Sequence, residues 1–446
     1  MRASPSPSAD RFLWGTIALS VGIRVVSAAY HGDDVTALPG VADQLSYHTL
    51  ATRVLEGHGF SFPVGWWPAT PAGEPTAHWS FLYTLFLVAV YAVAGIHPLV
   101  ARLIQGVAVG VLQPWLSYRL GTRLFGPVVG RGAAVIAAGY AYFAYYAGAL
   151  MTESFYVVCI LWTVDRLLAL GRTPPARRTR WLWGQLGLAL ALGILLRQTL
   201  LFVVPVFAGW LIWRSVYESE RRFDALSSTL AGLAVSMAVI ALAVLPWTIR
   251  NYRVFDTFVL LNTNAGFAFF WGNHPVHGST FTPLLQDNSY GALIPDNVKV
   301  MNEGAMDREL LRRGLRFVAD DPGRYLRLSI GRMVEYVKFW PSAESGAASN
   351  WARVLSFGVM LPFLLVGLWQ ALRPSARSHL GYNAIDVGLV VCLVLVHSAL
   401  YVATWTLVRY RLPVDALLGP FMSLGFLHVC SQLSIAPMLG KMRWSV

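Results

Sequence analysis

The run Leu226–Trp247, LSSTLAGLAVSMAVIALAVLPW, carries no charge over 22 residues. A helix of that length reaches about 33 Å, enough to cross a hydrocarbon core of about 30 Å. Comparable runs fall near 12–29, 79–95, 98–121, 128–147, 154–170, 182–197, 199–213, 351–371, 384–405 and 412–432. Only 13% of the 446 residues are charged, 56% are hydrophobic, and the mean hydropathy is +0.52. Soluble domains carry roughly 25% charged residues, and here the deficit is spread along the whole chain. That excludes a soluble domain on a single anchor. The sequence reads as an all-α, polytopic transmembrane helical bundle. Its 17 Trp and 18 Tyr suit interfacial belts.

The net charge of +12 would hint at nucleic acid in a soluble protein. Here the basic residues cluster in short loops between apolar runs, and no basic–aromatic nucleic-acid motif is present. These loops hold Arg119/Arg123/Arg131, Arg172/Arg177/Arg178/Arg180, Arg214/Arg221/Arg222, Arg373/Arg377 and Lys441/Arg443. They are expected in the cytoplasm. The segment 30–78 has one basic residue, Arg53, beside Asp33, Asp34, Asp43, Glu56 and Glu74, and is expected outside. Both assignments hold only if one run does not cross. The run 79–95 is short, begins His78-Trp79 and holds Tyr83 and Tyr91, which suits an interfacial helix. About ten crossings follow, with both termini in the cytoplasm; eleven crossings is the rival count. Ser27-Ala28-Ala29 resembles a signal cleavage site, but the run 12–29 is long and many spans follow it, so it reads as an uncleaved first helix. Cys159, Cys392 and Cys430 lie in apolar spans without metal-site spacing and read as small buried hydrophobes.

Three parts are expected. Residues 1–247 form a transmembrane catalytic module with an acidic first external loop at 30–97. Residues 248–350 form a large external loop, and 351–446 form the C-terminal transmembrane helices. Within 248–350, Glu303–Phe317 sets Leu310, Leu311, Leu315 and Phe317 against Arg308, Arg312, Arg313 and Arg316 at helical spacing. Pro322-Gly323 then breaks the chain before a second helix over Tyr325–Phe339. Gly106 and Gly110 form a GxxxG, a mark of helix packing.

Residues able to carry chemistry gather at the outer ends of spans. Asp43 follows Pro39-Gly40 and opens a short helix that Gly57 and Gly59 close; Tyr47 lies one turn on, on the same face. Asp43 reads either as an N-cap or as a general base at the membrane surface. Glu153, in Met151-Thr152-Glu153-Ser154, reads either as an acidic first turn behind a Thr152 cap or as a second carboxylate of the same site. Arg197, Arg250, Arg253, Arg409 and Arg411 lie near the outer face, against the usual charge bias. They read as snorkelling anchors or as a phosphate site, since guanidinium forks match phosphate oxygens. Trp271-Gly272-Asn273-His274-Pro275 reads as a turn or a pocket wall. Walker A, HExxH and nucleophile-elbow motifs are absent.

In order, Asp43-Gln44-Leu45-Ser46-Tyr47, Met151-Thr152-Glu153, Leu196-Arg197-Gln198, Pro246-Trp247-Thr248-Ile249-Arg250-Asn251-Tyr252, Asn264-Ala265-Gly266, Trp271-Gly272-Asn273-His274-Pro275 and Arg409-Tyr410-Arg411-Leu412-Pro413-Val414-Asp415 cover most of the chain. Together they resemble the membrane-embedded C-type (GT-C) glycosyltransferases, on the branch of bacterial relatives of protein O-mannosyltransferases and lipid A aminoarabinose transferases. The resemblance implies a polyprenyl-phosphate-linked sugar donor in the lipid bilayer and inverting transfer to an acceptor hydroxyl of a protein, lipid or glycan. It places the reaction at the outer face of a bacterial inner membrane. It implies Asp43 as base or acceptor-orienting group and Glu153 as a support for the acceptor side or for a metal. Arg197, Arg250, Arg409 and Arg411 would hold the donor phosphate, with Tyr47, His78 and Asn273 as candidate substrate contacts. Relatives differ in their use of a divalent metal, so metal and cofactor stay open. Ser46 stands where relatives often carry a basic residue, and Pro75-Thr76-Ala77-His78 stands where they carry a doubled proline. The rival reading is a transporter or flippase of lipid-linked sugars; a third is an assembly partner in the cell envelope.

Overall fold

The apolar runs become helices. The computed structural model describes residues 7–38, 41–217, 221–283, 286–343, 345–373 and 382–433. In chain order the helices are α1 Pro7–His31, α2 Asp43–Leu55, α3 Phe81–Ala94, α4 Pro98–Phe125, α5 Pro127–Gly139, α6 Ala141–Ala147, α7 Glu153–Arg172, α8 Arg180–Leu196 and α9 Val204–Tyr217. Then follow α10 Arg222–Phe255, α11 Ala265–Asn273, α12 Asp296–Lys299, α13 Glu303–Asp320, α14 Pro322–Val337, α15 Ala347–Arg353, α16 Val359–Leu372, α17 Ala384–Ala403 and α18 Leu412–Gln432. A single π-turn, Val354–Gly358, joins α15 to α16. Among the described residues, strand pairing is limited to isolated bridges.

Eight of the described helices are long and apolar enough to cross a membrane: Arg11–His31, Pro98–Phe125, Glu153–Arg172, Gln198–Tyr217, Arg222–Phe255, Ala347–Leu372, Ala384–Ala403 and Val408–Gln432. The expected count is about ten; three shorter apolar helices, Phe81–Ala94, Pro127–Gly139 and Arg180–Leu196, lie outside these eight. Helix α3 has 14 residues and is about 21 Å long, short of the hydrocarbon thickness. Its N-cap is Ser80, whose hydroxyl accepts from the Tyr83 amide, and Gly95 closes it at φ 81°.

Small residues let the helices close on one another. A Cβ on Gly110 would lie 2.9 Å from Val21 Cα, so the GxxxG face of α4 receives α1. A Cβ on Gly367 would sit 1.8 Å from the Phe421 carbonyl oxygen, and one on Gly425 would sit 1.9 Å from that of Phe363; α16 and α18 touch backbone to backbone there. Every residue from Leu412 to Gly425 is buried, which makes α18 the central post of the bundle. Of the cysteines only Cys159 is buried. Cys430 is half-buried and Cys392 is exposed, because α17 turns that side outward.

Buried charge ties the bundle together. Arg24, buried in α1, donates to Gln113 Oε1 at 2.9 Å, Ser20 Oγ at 2.6 Å and the Ala137 carbonyl at 3.0 Å. That carbonyl is left over where α5 stops at Gly139, so the arginine satisfies a broken helix. At the other end of α7 from Glu153, Asp165 binds Arg119, Arg123 and Arg166, and Asp386 binds Arg172 and Arg214. Thus much of the basic-loop charge is gathered on two buried carboxylates. The length of α7 puts this end about 28 Å from the start of that helix.

Between α10 and α15, α13 starts behind Asn302, whose side chain accepts from the Ala305 amide. Its buried face is Met306, Leu310 and Gly314, while Leu311 and Leu315 are exposed. The four-residue repeat wins over the broader stripe the sequence suggests. Helix α14 begins at Pro322, earlier than the expected Tyr325. Asp321 caps it and Pro322 fills the first turn, where a missing N–H costs nothing. It ends at Val337, short of Phe339.

Candidate active site

The four groups that matter most come from four helix ends. Asp43 is the first residue of α2. The N-cap is Ala42, and no side chain caps the helix, so the capping role does not hold for Asp43. Its carboxylate is instead spent on tertiary structure: Oδ2 accepts from Arg409 Nη1 at 2.9 Å. Glu153 opens α7. Thr152 stands at the N-cap but makes no cap bond; its hydroxyl accepts from Arg197 Nε at 3.2 Å. Glu153 Oε1 lies 2.5 Å from Arg197 Nη2 and 3.4 Å from Arg409 Nε. Arg197 follows the last turn of α8, and Arg409 sits in the one-turn 3-10 helix Val408–Arg411 before α18.

The result is a line of alternating charge: Asp43, Arg409, Glu153, Arg197. The side chains of Glu153 and Arg409 keep 3% and 7% exposure, whereas Asp43 keeps 22%. Asp43 is therefore the carboxylate a substrate can reach. Arg409 Nε faces Glu153 Oε1 at 3.4 Å as an ion pair without a well-formed hydrogen bond. The Tyr410 ring lies 5.0 Å from the Arg197 guanidinium and 5.4 Å from that of Arg409. Tyr156, on the face of Glu153 one turn into α7, lies 5.9 Å from Arg197. A small cavity adjoins Glu153, lined also by Gln113, Tyr146, Ser154 and Leu412.

The other candidates fall elsewhere. Tyr47 is buried behind Asp43, edge-on to Tyr83 at 4.9 Å and Trp79 at 5.7 Å, and forms the floor of the site. His78 is buried, its Nδ1 3.2 Å from the Thr263 carbonyl oxygen. Burial pushes its pKa down to about 4, so the ring is neutral. Arg250 donates to the Thr76 carbonyl at 3.0 Å among Phe60, Phe81 and Phe255. Arg411 is paired with Asp415 at 3.0 Å and donates to the Tyr336 carbonyl at 2.8 Å. Asn273 is buried, donating to Phe269 O and accepting from Arg332. Of the four arginines, the structure brings Arg197 and Arg409 together and holds Arg250 and Arg411 in internal hydrogen bonds. Among the described residues, no three His, Cys, Asp or Glu side chains group as metal ligands.

Two carboxylates of α13 attach it to the segments beside the site. Glu303 accepts from the Ala77 amide at 2.7 Å, from Thr70 at 3.0 Å and from the Thr263 hydroxyl. Asp307 accepts from the Phe267 amide at 3.1 Å at the start of α11. Burial raises the Asp307 pKa to about 7 despite these amides, and burial raises that of Glu303 too. A carboxyl with a raised folded pKa contributes stability that is complete below its unfolded value near 4 and lost as the pH climbs through about 7. Thermal stability in detergent should therefore fall between pH 5 and 8, each group contributing at most about 1.4 kcal/mol per pH unit. Asp307→Asn should flatten part of that slope; an unchanged slope would rule out Asp307 as its source.

Residues 78–247, less than half the chain, match the family model of dolichyl-phosphate-mannose-protein mannosyltransferase. Over 99% of its length the chain superposes on the archaeal oligosaccharyltransferase AglB from Archaeoglobus fulgidus, solved with an inhibitory peptide and a dolichol-phosphate, with a TM-score of 0.60 and 14% identity. The chain has the GT-C glycosyltransferase fold.

The GT-C match covers 52% of that AglB chain, so this protein spans about half the length of the structure it resembles. The apo form of the A. fulgidus oligosaccharyltransferase gives a TM-score of 0.59 at 16% identity, over 97% of this chain and 51% of that one. ArnT from Cupriavidus metallidurans in the apo state gives a TM-score of 0.40 at 15% identity, over 96% and 80%. No curated protein sequence matches the chain. On this GT-C scaffold, sequence reasoning missed Tyr156, Tyr410 and His397 of α17. Tyr156 was legible as the i+3 neighbour of Glu153. Tyr410 lies between two arginines, and His397 is an ionisable group in an apolar span.

Proposed function

We propose that the chain is an inverting glycosyltransferase that moves a sugar from a polyprenyl-phosphate donor to an acceptor hydroxyl. The observation that carries this reading is Arg409, buried and bridging the reachable Asp43 through Nη1 and the buried Glu153 through Nε. Preorganised donors aimed at developing charge are the largest single source of rate in many enzymes. The donor phosphate takes Arg409 and Arg197 and competes with Asp43 for Arg409. The freed Asp43 carboxylate then accepts the acceptor's proton. The acceptor oxygen forms its bond to the anomeric carbon as the C–O bond to phosphate breaks, and the electron pair leaves on the phosphate. A single displacement inverts the anomeric centre. Glu153 stays buried and holds both guanidiniums.

The model-matched family and AglB, whose structure holds dolichol-phosphate, support a lipid-phosphate donor. The position of Asp43, Arg409, Glu153 and Arg197 at helix ends favours an enzyme over a transporter, whose site sits near the membrane midplane. With the arginine-rich Asp165 and Asp386 clusters in the cytoplasm, this end faces the exterior of a bacterial inner membrane. Residues 248–350 then stand over it and select the acceptor.

The test is Asp43→Asn, assayed for sugar transfer from a polyprenyl-phosphate donor. Loss of a general base should lower transfer by about 10²–10⁴-fold with folded protein retained. Wild-type rates in the variant would end the assignment of Asp43 as base.

A further inference from the structure

His397 is buried in the second half of α17, six residues before the helix ends at Ala403. Both ring nitrogens lack a hydrogen-bond partner among the described residues. Burying a polar group without a partner is costly, and native structures keep such groups mainly where something else uses them. An unused imidazole inside a span calls for a ligand more than for a packing role.

Its neighbours lead to the charged site. The His397 ring lies 6.3 Å from that of Tyr156 and 5.1 Å from that of Tyr401. Tyr401 stacks on Tyr410 at 4.8 Å, and its hydroxyl is 3.2 Å from Thr199 Oγ1. Tyr156 and Tyr410 are the two rings that also carry Arg197. His397 and Arg197 therefore share Tyr156, and Tyr401 links His397 to the Tyr410 ring beside Arg197. His397 lies about 9 Å along the helix axis from the end of α17.

We infer that His397 donates a hydrogen bond to the departing polyprenyl phosphate, stabilising the charge it gains when the sugar leaves. This rests on the glycosyltransferase reading. The donor phosphate is a diester with one negative charge. Once the bond to the anomeric carbon breaks and its electron pair stays on oxygen, the product is a monoester with up to two. An imidazole N–H that bonds the added charge stabilises the transition state more than the bound donor, and so raises kcat rather than lowering KM. The imidazole keeps its proton throughout. His397 acts beside Arg197 as a selector of the charged leaving group.

The experiment uses purified full-length protein in nanodiscs at pH 8. Two probes are titrated by thermal shift: a polyprenyl phosphate, which is dianionic there, and the matching polyprenyl methyl phosphate, a fixed monoanion. Wild type should prefer the dianion. His397→Leu should bind the monoanion as before and lose about 10- to 100-fold in affinity for the dianion. The same variant should melt no lower than wild type without ligand, because it removes an unpaired polar group; a purely structural histidine would not separate these readouts. His397→Gln, which restores an N–H donor, should recover part of the preference and covers the case of a poorly folded Leu variant. An unchanged preference for the dianion in both variants overturns the role of His397. Folded wild type that binds neither lipid overturns the glycosyltransferase reading itself.

Discussion

Glu153→Ala should lower the stability of the folded protein more than any other single change at the site, by about 3–5 kcal/mol, because it leaves Arg197 without a counter-charge and takes one of two carboxylates from buried Arg409. Arg197 and Arg409 both lie within 3.4 Å of Glu153 Oε1. Without that carboxylate, Arg409 keeps Asp43, but Arg197 is left with the Thr152 hydroxyl and the faces of Tyr156 and Tyr410. Two like charges then face each other in a poorly solvated site. Glu153→Gln should fall between, since it keeps the acceptor and shape but not the charge. The measurement is the thermal midpoint in detergent for both variants. An alanine variant as stable as wild type would mean the arginines have another counter-charge.

Arg409→Lys should cut transfer by about 10²–10³-fold, the usual cost of removing one preorganised donor. Lysine keeps the positive charge, but its compact ammonium cannot reach two carboxylates and a phosphate together, as a planar fork with five N–H groups can. The loss should appear in kcat as well as in donor affinity, since the same group binds phosphate and sets the availability of Asp43. Arg411, two residues on, provides the contrast. Paired with Asp415 and the Tyr336 carbonyl, it is expected to lower stability when replaced while sparing donor affinity in the protein that remains folded. Kinetics of both variants with a lipid-linked donor, beside their melting curves, would separate the roles. Equal losses of donor affinity would remove the distinction drawn between them.

The alternating chain of charge also explains why the candidate residues were only partly legible. Asp43, Glu153, Arg197 and Arg409 each stand at a helix end, and each has an ordinary local reading as a cap, a first-turn acid or a snorkelling cation. Nothing local separates Arg409 from Arg411, both in Arg409-Tyr410-Arg411. On a one-turn 3-10 helix the two side chains diverge: one reaches α2, the other the end of α14. Tyr47 was legible as a neighbour of Asp43 on α2. Its burial against Trp79 and Tyr83 was not, because that depends on where α3 packs.

By itself the sequence determined the membrane bundle, the approximate bounds of its spans and the short helix α3. It could do so because hydrocarbon admits only apolar helices that satisfy their own backbone, and their length follows from bilayer thickness. It also determined the starts of α2 and α13, since first-turn acids and helical periodicity act within a few residues. Only the tertiary structure decided which charges meet. Asp43 and Arg409 are 366 residues apart, and Asp386 finds Arg172 across 214. Such pairings depend on which helices lie side by side and at what depth their ends stand. Helix packing, through contacts such as Gly367 against Phe421, sets both.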